Sequence, residues 1–182
     1  MSKLFRTTLW IFSGVGLIAF LVQTLSTFLI SPLMGLLSLL IAAVLVTLIF
    51  YLLQRSPMWA RPARLWATLA FLWGGGVAVA LALISAGPVM QLAIGSGWVE
   101  SMMSWSGAYP EEISKATGVI FVLMSFRQLN RPWHGWMVGA VVGLGFETCE
   151  NILYGAMGAT MHPDSDIQGL FEMWGLRLIA GP

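Results

Sequence analysis

LWIFSGVGLIAFLVQTLSTFLI, residues 9–30, runs for 22 positions without a charged side chain. A helix of that length rises about 33 Å at 1.5 Å per residue, enough to cross a hydrocarbon core about 30 Å thick. A second uncharged run of 21 residues, 33–53, follows directly. The whole chain agrees, with 58% hydrophobic and 9% charged residues and a mean hydropathy of +0.83. The fold class is therefore all-α, a polytopic transmembrane helix bundle. Lys3 and Arg6 precede the first run as they would in a signal peptide. That run is too long for such a leader and lacks an A-x-A-like cleavage site, so it reads as a retained span.

Working outward, Ser31-Pro32 separates the first two spans as a tight hairpin. The connection QRSPMWARPAR (54–64) leads to a third span over about 65–85, with flexible Gly74-Gly75-Gly76 at its centre and Gly87-Pro88 as its end. VMQLAIGSGWVESMMSWSGAY (89–109) is ambiguous, and its Trp98, Trp105 and Tyr109 are spaced as interface anchors. A fourth span covers about 110–129, with Pro110 in its first turn. The connection FRQLNRPWHG (126–135) precedes a fifth span over about 136–160. HPDSD (162–166) is a loop, and a sixth span begins near Gln168. The expected organisation is one membrane domain over 1–182, divided into an N-terminal hairpin with its loop (1–64) and a helical core (65–182) whose last span is incomplete.

Charge sets the orientation of these roughly six spans. Lys3, Arg6, Arg55, Arg61, Arg64, Arg127 and Arg131 fall on one side if the spans alternate. The opposite loops hold Glu100, Asp164 and Asp166 and no Lys or Arg. By the positive-inside rule the N-terminus is cytoplasmic. The net charge of +1 leaves no basic face for nucleic acid, and the single cysteine, Cys149, excludes an intrachain disulfide.

Against this apolar background a few residues are expensive. A charged group at a helix centre costs roughly 2.5–3.5 kcal/mol on insertion scales, so those present are expected to be paired, neutralised or wet. On the fourth span, EEISK (111–115) places Lys115 within reach of both Glu111 and Glu112. On the fifth, GFETCENILYG (145–155) sets Glu147 and Glu150 on one face, with Asn151 and Tyr154 extending the polar stripe. Gly139, Gly143, Gly155 and Gly158 are small residues that allow other helices to approach. The two acidic patches match in depth if the fourth helix starts below the membrane surface, with the 98–109 stretch dipping in above it. Arg177 either pairs with one of these glutamates or snorkels to a headgroup.

E-E-x-x-K followed on the next span by F-E-x-x-E-N-x-x-Y resembles the PrsW-type intramembrane proteases, relatives of the CAAX prenyl endopeptidases and bacteriocin-processing membrane enzymes. The similarity covers the chain from about Trp98 onward. It implies an endopeptidase in a bacterial inner membrane that hydrolyses a peptide bond of a membrane-associated substrate, such as an anti-sigma factor. Residue by residue, the resemblance carries over to Glu111 and Glu112 in the first motif and to Glu147, Glu150 and Asn151 in the second. It also implies a later histidine-bearing motif that the visible chain does not contain, so a continuation beyond Pro182 is expected, or a site that has lost a part. His134 reads as an interfacial residue and His162 as a loop residue.

Peptide hydrolysis needs an activated water, a proton acceptor and stabilisation of an oxyanion. In a low-dielectric cavity two carboxylates repel, so one keeps a proton, and one residue type supplies both acid and base. The expected roles are water activation by Glu111 or Glu112 with Lys115 as counter-charge, and orientation of the carbonyl by Asn151. Glu147 and Glu150 hold the second proton or a divalent metal, with zinc the expected ion. Two rival functions are a catalytically inactive scaffold or assembly subunit, and a proton-coupled transporter. No inverted repeat supports the transporter.

Overall fold

Ser31 is the only residue between the first two helices, α1 (Lys3–Ile30) and α2 (Pro32–Arg55). Its extended backbone, φ −151° and ψ 103°, breaks the helix, and Pro32 restarts it in the first turn, where a missing N–H costs nothing. Most leucines and isoleucines of both helices point outward, as lipid-facing side chains do. The computed structural model describes residues 3–180, and among them the regular structure is entirely helical.

The third span is longer than the sequence suggests. It comprises α3 (Arg64–Leu72), a π turn (Trp73–Ala78) and α4 (Val79–Gly95), together 32 residues. Pro88 lies inside α4 rather than ending it near Ser85. Its ring removes one backbone hydrogen bond, a loss that membrane helices tolerate when the flanking backbone is otherwise satisfied. The three glycines are not a flexible point either. All six residues of the π turn are buried, and each glycine lets a neighbouring backbone come close. A Cβ on Gly74 would overlap the Val142 carbonyl, and one on Gly76 would overlap Gly16 of α1. This is the small-residue packing that holds helices together where lipid removes the hydrophobic drive between them.

The ambiguous stretch resolves into a left-handed Gly97 (φ 78°), a 3-10 turn (Val99–Ser101) and the short helix α5 (Met102–Ser106). Trp98, Trp105 and Tyr109 stack in sequence, with centroids 5.0 and 4.9 Å apart. Then come α6 (Ala108–Ser125), α7 (Pro132–Met161) and α8 (Asp166–Ala180). By length and apolarity alone, three helices qualify as spans: α1, α2 and the α3–α4 rod. The 30 residues of α7 reach about 45 Å, whereas the 15 of α8 reach only about 22 Å.

The central element is α7, packed by α1, α2, α3, the π turn, α6 and α8. Its Met137, Val138, Val141, Val142 and Phe146 meet Trp66 and Trp73 in the main core. The Trp73 indole donates to the Ser114 carbonyl at 3.0 Å, tying the π turn to α6. Gly118 makes room for that ring. A second cluster joins α2, α7 and α8 through Met34, Ile152, Leu170 and Trp174. There the Trp174 indole donates to Ser38 Oγ at 2.9 Å, and Ser38 Oγ donates to the Asn151 carbonyl at 3.1 Å. Gly155 and Gly158 face α2 and α8 at close range, as expected, but Gly143 touches nothing and Gly139 only grazes Val119. Those two glycines leave space instead of closing it.

Candidate active site

The space they leave is a cleft of about 670 Å³ between α2, α6, α7 and α8. Apolar residues of α2, including Ala42, Val46 and Ile49, form one wall, and Glu112, Lys115, Glu147, Asn151 and Arg177 bring polarity to the others. Glu112 and Lys115, one turn apart on α6, pair at 2.6 Å. Lys115 Nζ also stands 4.2 Å from the centroid of the Phe146 ring. The Glu112 side chain is 67% exposed against 12% for Lys115, so this pair forms the rim, with its cation turned inward.

Arg177 occupies the centre. Its Nη2 donates to Glu147 Oε2 at 2.9 Å and to Glu150 Oε2 at 2.8 Å, while its Nε donates to Asn151 Oδ1 at 2.8 Å. The guanidinium carbon lies 4.8 Å from the centroid of the Tyr154 ring. Trp174, one turn earlier on α8, is anchored through Ser38 to α2 and α7, and that anchor fixes where Arg177 points. Among the described residues, Glu147 Oε1 is buried with no hydrogen-bond partner.

Glu111 and Glu150 line a second, smaller pocket of about 140 Å³ together with Gln23, Ser106, Gly107 and Tyr154. Thus α6 starts level with Glu150, which is the depth match expected from helix rise. The four sequence-predicted glutamates do converge around α7, but in two compartments: Glu112 with Glu147 in the cleft, Glu111 with Glu150 in the small pocket. Arg177 links the two through its bonds to both α7 carboxylates.

Two contributors were not picked out from sequence. Gln23 was hidden in the first apolar run, where its amide is the sole strongly polar side chain among 22 residues. The Ser38–Trp174 hydrogen bond joins residues 136 positions apart, and no local pattern announces it. From sequence alone Arg177 has two possible partners, a glutamate or a headgroup, and the structure gives it the glutamates. The histidines stay outside the site. His162 Nδ1 accepts the backbone N–H groups of Asp164 and Ser165, shaping the α7–α8 loop. His134 is buried at the start of α7, where its Nδ1 accepts the Arg131 N–H at 3.1 Å. Burial, and then the neighbouring Arg131 charge, lower its pKa. Cys149 is buried and free, a packing residue.

The described residues contain no group of three His, Cys, Asp or Glu placed to hold a metal ion. A catalytic zinc takes three protein donors and an open position. Here a guanidinium nitrogen lies where an ion bridging Glu147 and Glu150 would sit. In this arrangement the described residues offer two carboxylates, Glu147 and Glu150, and both are engaged by an internal cation.

In a comparison with known families, the one described as PrsW family intramembrane metalloprotease matches residues 62–182. No curated protein and no solved structure matches the chain significantly.

Proposed function

The chain belongs to the PrsW family of intramembrane metalloproteases, and from that premise we propose that it cleaves a membrane-associated protein in the cleft beside α7. Membership makes it a membrane-embedded protease of a family whose chemistry is metal-dependent; the residues that act in this chain, and their roles, are our own reading.

The observation that carries the reading is the bare Glu147 Oε1, a buried carboxylate oxygen on the wall of a cleft that two cations also line. Its partner oxygen is held by Arg177, which fixes the carboxylate plane and leaves Oε1 free to accept a proton once substrate entry opens it to a cleft water. Lys115 and Arg177 supply positive charge where an oxyanion would develop, in a site too apolar to screen it. Asn151, its oxygen engaged by Arg177, presents its amide nitrogen to a substrate carbonyl. Glu112 holds Lys115 in place, and Glu111 with Glu150 forms the acidic floor behind. The substrate arrives from the side. The cleft lies between α2 and α6, which make no extended contact with each other, so a substrate segment in lipid can enter laterally.

A divalent ion is not part of these steps. Glu147 and Glu150 offer it two carboxylates, but it must compete with Arg177 for the same oxygens. The engagement of both carboxylates by Arg177 also supports the second reading, an inactive scaffold. The test is cleavage of a candidate substrate, a single-span membrane-anchored anti-sigma factor, co-reconstituted with the full chain in liposomes. Glu147→Gln is expected to lower cleavage by about 100-fold or more, the usual range for losing a general base, while Glu172→Gln on the outer part of α8 leaves it unchanged. Equal cleavage by wild type and Glu147→Gln removes the protease role proposed for this residue.

A further inference from the structure

At the opposite, arginine-bearing end lies a larger cavity, of about 1480 Å³. Arg6 of α1, Arg61 of the α2–α3 connection, Arg64 at the start of α3 and Arg127 after α6 all line it, beside Gln54 and Gln128. No acidic residue lines it, and none occurs anywhere in residues 1–99 or 113–146. Among the described residues these four arginines take part in no ion pair and no cation–π contact, whereas Arg55 covers Tyr51 and Arg131 lies against Trp133.

Orientation by positive charge asks only that arginines lie somewhere on this side. It does not ask that residues from three separate segments converge on one cavity. Nor is the cavity wall a loose loop. The Trp66 indole donates to the Ala60 carbonyl at 3.0 Å, Gln128 Nε2 donates to the Pro62 carbonyl at 3.3 Å, and Trp59 packs on Trp66 with centroids 4.7 Å apart. Converging like charges held by a fixed frame repel one another and are relieved by an anion. Arginine's planar fork suits phosphate oxygens in particular, and basic pockets between helix ends at the cytoplasmic surface suit anionic headgroups.

We propose that this cavity binds a phosphate group, carried by an anionic phospholipid headgroup of the leaflet on the positive side. The site is independent of the protease reading and lies apart from the cleft. The experiment is native mass spectrometry of the full chain in detergent, offered equal amounts of phosphatidylglycerol and phosphatidylcholine, with inorganic phosphate as a separate competitor. Phosphatidylglycerol should be retained preferentially. Removing two of the charges in Arg61→Gln/Arg127→Gln should reduce that preference by about 30-fold, and the control Arg55→Gln/Arg131→Gln should keep it. In wild type, raising the salt should weaken phosphatidylglycerol retention and spare phosphatidylcholine, a readout that needs no variant. Equal retention of the two lipids, or the same loss in the control pair, overturns the proposal. Phosphate bound through the same arginines with no preference for phosphatidylglycerol overturns the lipid assignment and gives the cavity to a soluble phosphate.

Discussion

Arg177→Met is the most exacting perturbation, since it keeps the stem's bulk and removes only the charge and its hydrogen bonds. In wild type one guanidinium serves three acceptors at 2.8–2.9 Å, and the side chains of Arg177, Glu147 and Glu150 are 19, 21 and 17% exposed. An exposed ion pair is worth about 0–1 kcal/mol, whereas stranding the partner of a buried one costs about 3–5 kcal/mol. With about a fifth of each side chain exposed, the expected loss of stability is about 2–4 kcal/mol. The same substitution in a Glu147→Gln/Glu150→Gln background strands no charge and should cost about 1 kcal/mol or less. The coupling between the two changes is therefore expected at about 1–3 kcal/mol. Reversible unfolding of the purified chain in mixed micelles, followed by far-UV circular dichroism for all four proteins of the cycle, measures it. An Arg177→Met loss below 1 kcal/mol, or an equal loss in both backgrounds, refutes the account of Arg177 as the counter-ion of this pair.

The same arginine bears on metal binding: Mn²⁺, followed by its electron paramagnetic resonance signal, should bind Arg177→Met more tightly than wild type, and equal affinities show that ion and guanidinium do not share these oxygens. Gly74→Ala should destabilise the bundle by about 1–3 kcal/mol or more, because its methyl group meets the Val142 carbonyl. Gly14→Ala, with open space around it, should be neutral or stabilise α1 by up to about 1 kcal/mol; matching effects in unfolding experiments contradict the packing described for the π turn. For His134 the folded-state pKa lies below its ordinary 6.5, so the folded chain favours the neutral ring. Its contribution is intact above about pH 6.5 and is lost as pH falls from there through the lower folded value. Unfolding curves from pH 8 to 5 should show this decline in wild type and a flatter profile in His134→Gln; identical slopes dismiss it.

What the sequence reveals and what it hides follow from the range of the forces involved. Membrane character, the Ser31-Pro32 break and the acidic face of α7 are legible because each rests on local composition or on a three-residue spacing. The Lys115–Glu112 pair is legible for the same reason. Gly87-Pro88 misleads, since in lipid a helix has no water to turn to and continues past a proline that would stop a soluble one. Gly74-Gly75-Gly76 misleads likewise: local chemistry suggests flexibility, and only the position of α1 and α7 turns the missing side chains into contact. The division of the glutamates into two compartments depends on the rotation of α6 against α7, which spacing within either helix cannot supply. Arg177 depends on α8 folding back, and the anchor for that is a hydrogen bond from Trp174 to Ser38 across most of the chain.

Charge balance within the bundle then connects the site to its family. Lys115 answers Glu112 at the rim. Behind it, Glu147 and Glu150 share a single guanidinium, so two carboxylates face one cation, and Glu111 lines the small pocket beside Glu150. At an effective dielectric of about 20, two such charges 5 Å apart repel by about 3 kcal/mol, and the excess has to be met by something that enters from outside. A site with this surplus selects for cations and for polar groups with their positive ends inward. It resists filling by lipid tails, although apolar α2 forms one wall. Arg177 lowers the surplus without abolishing it, because it binds one oxygen of Glu147 and leaves the other bare. A fully neutralised cluster would be a structural ion pair, and a cluster with no arginine would be hard to keep folded in lipid. The observed state lies between them: enough charge is satisfied to hold the helices together, and one buried carboxylate oxygen is left without a partner.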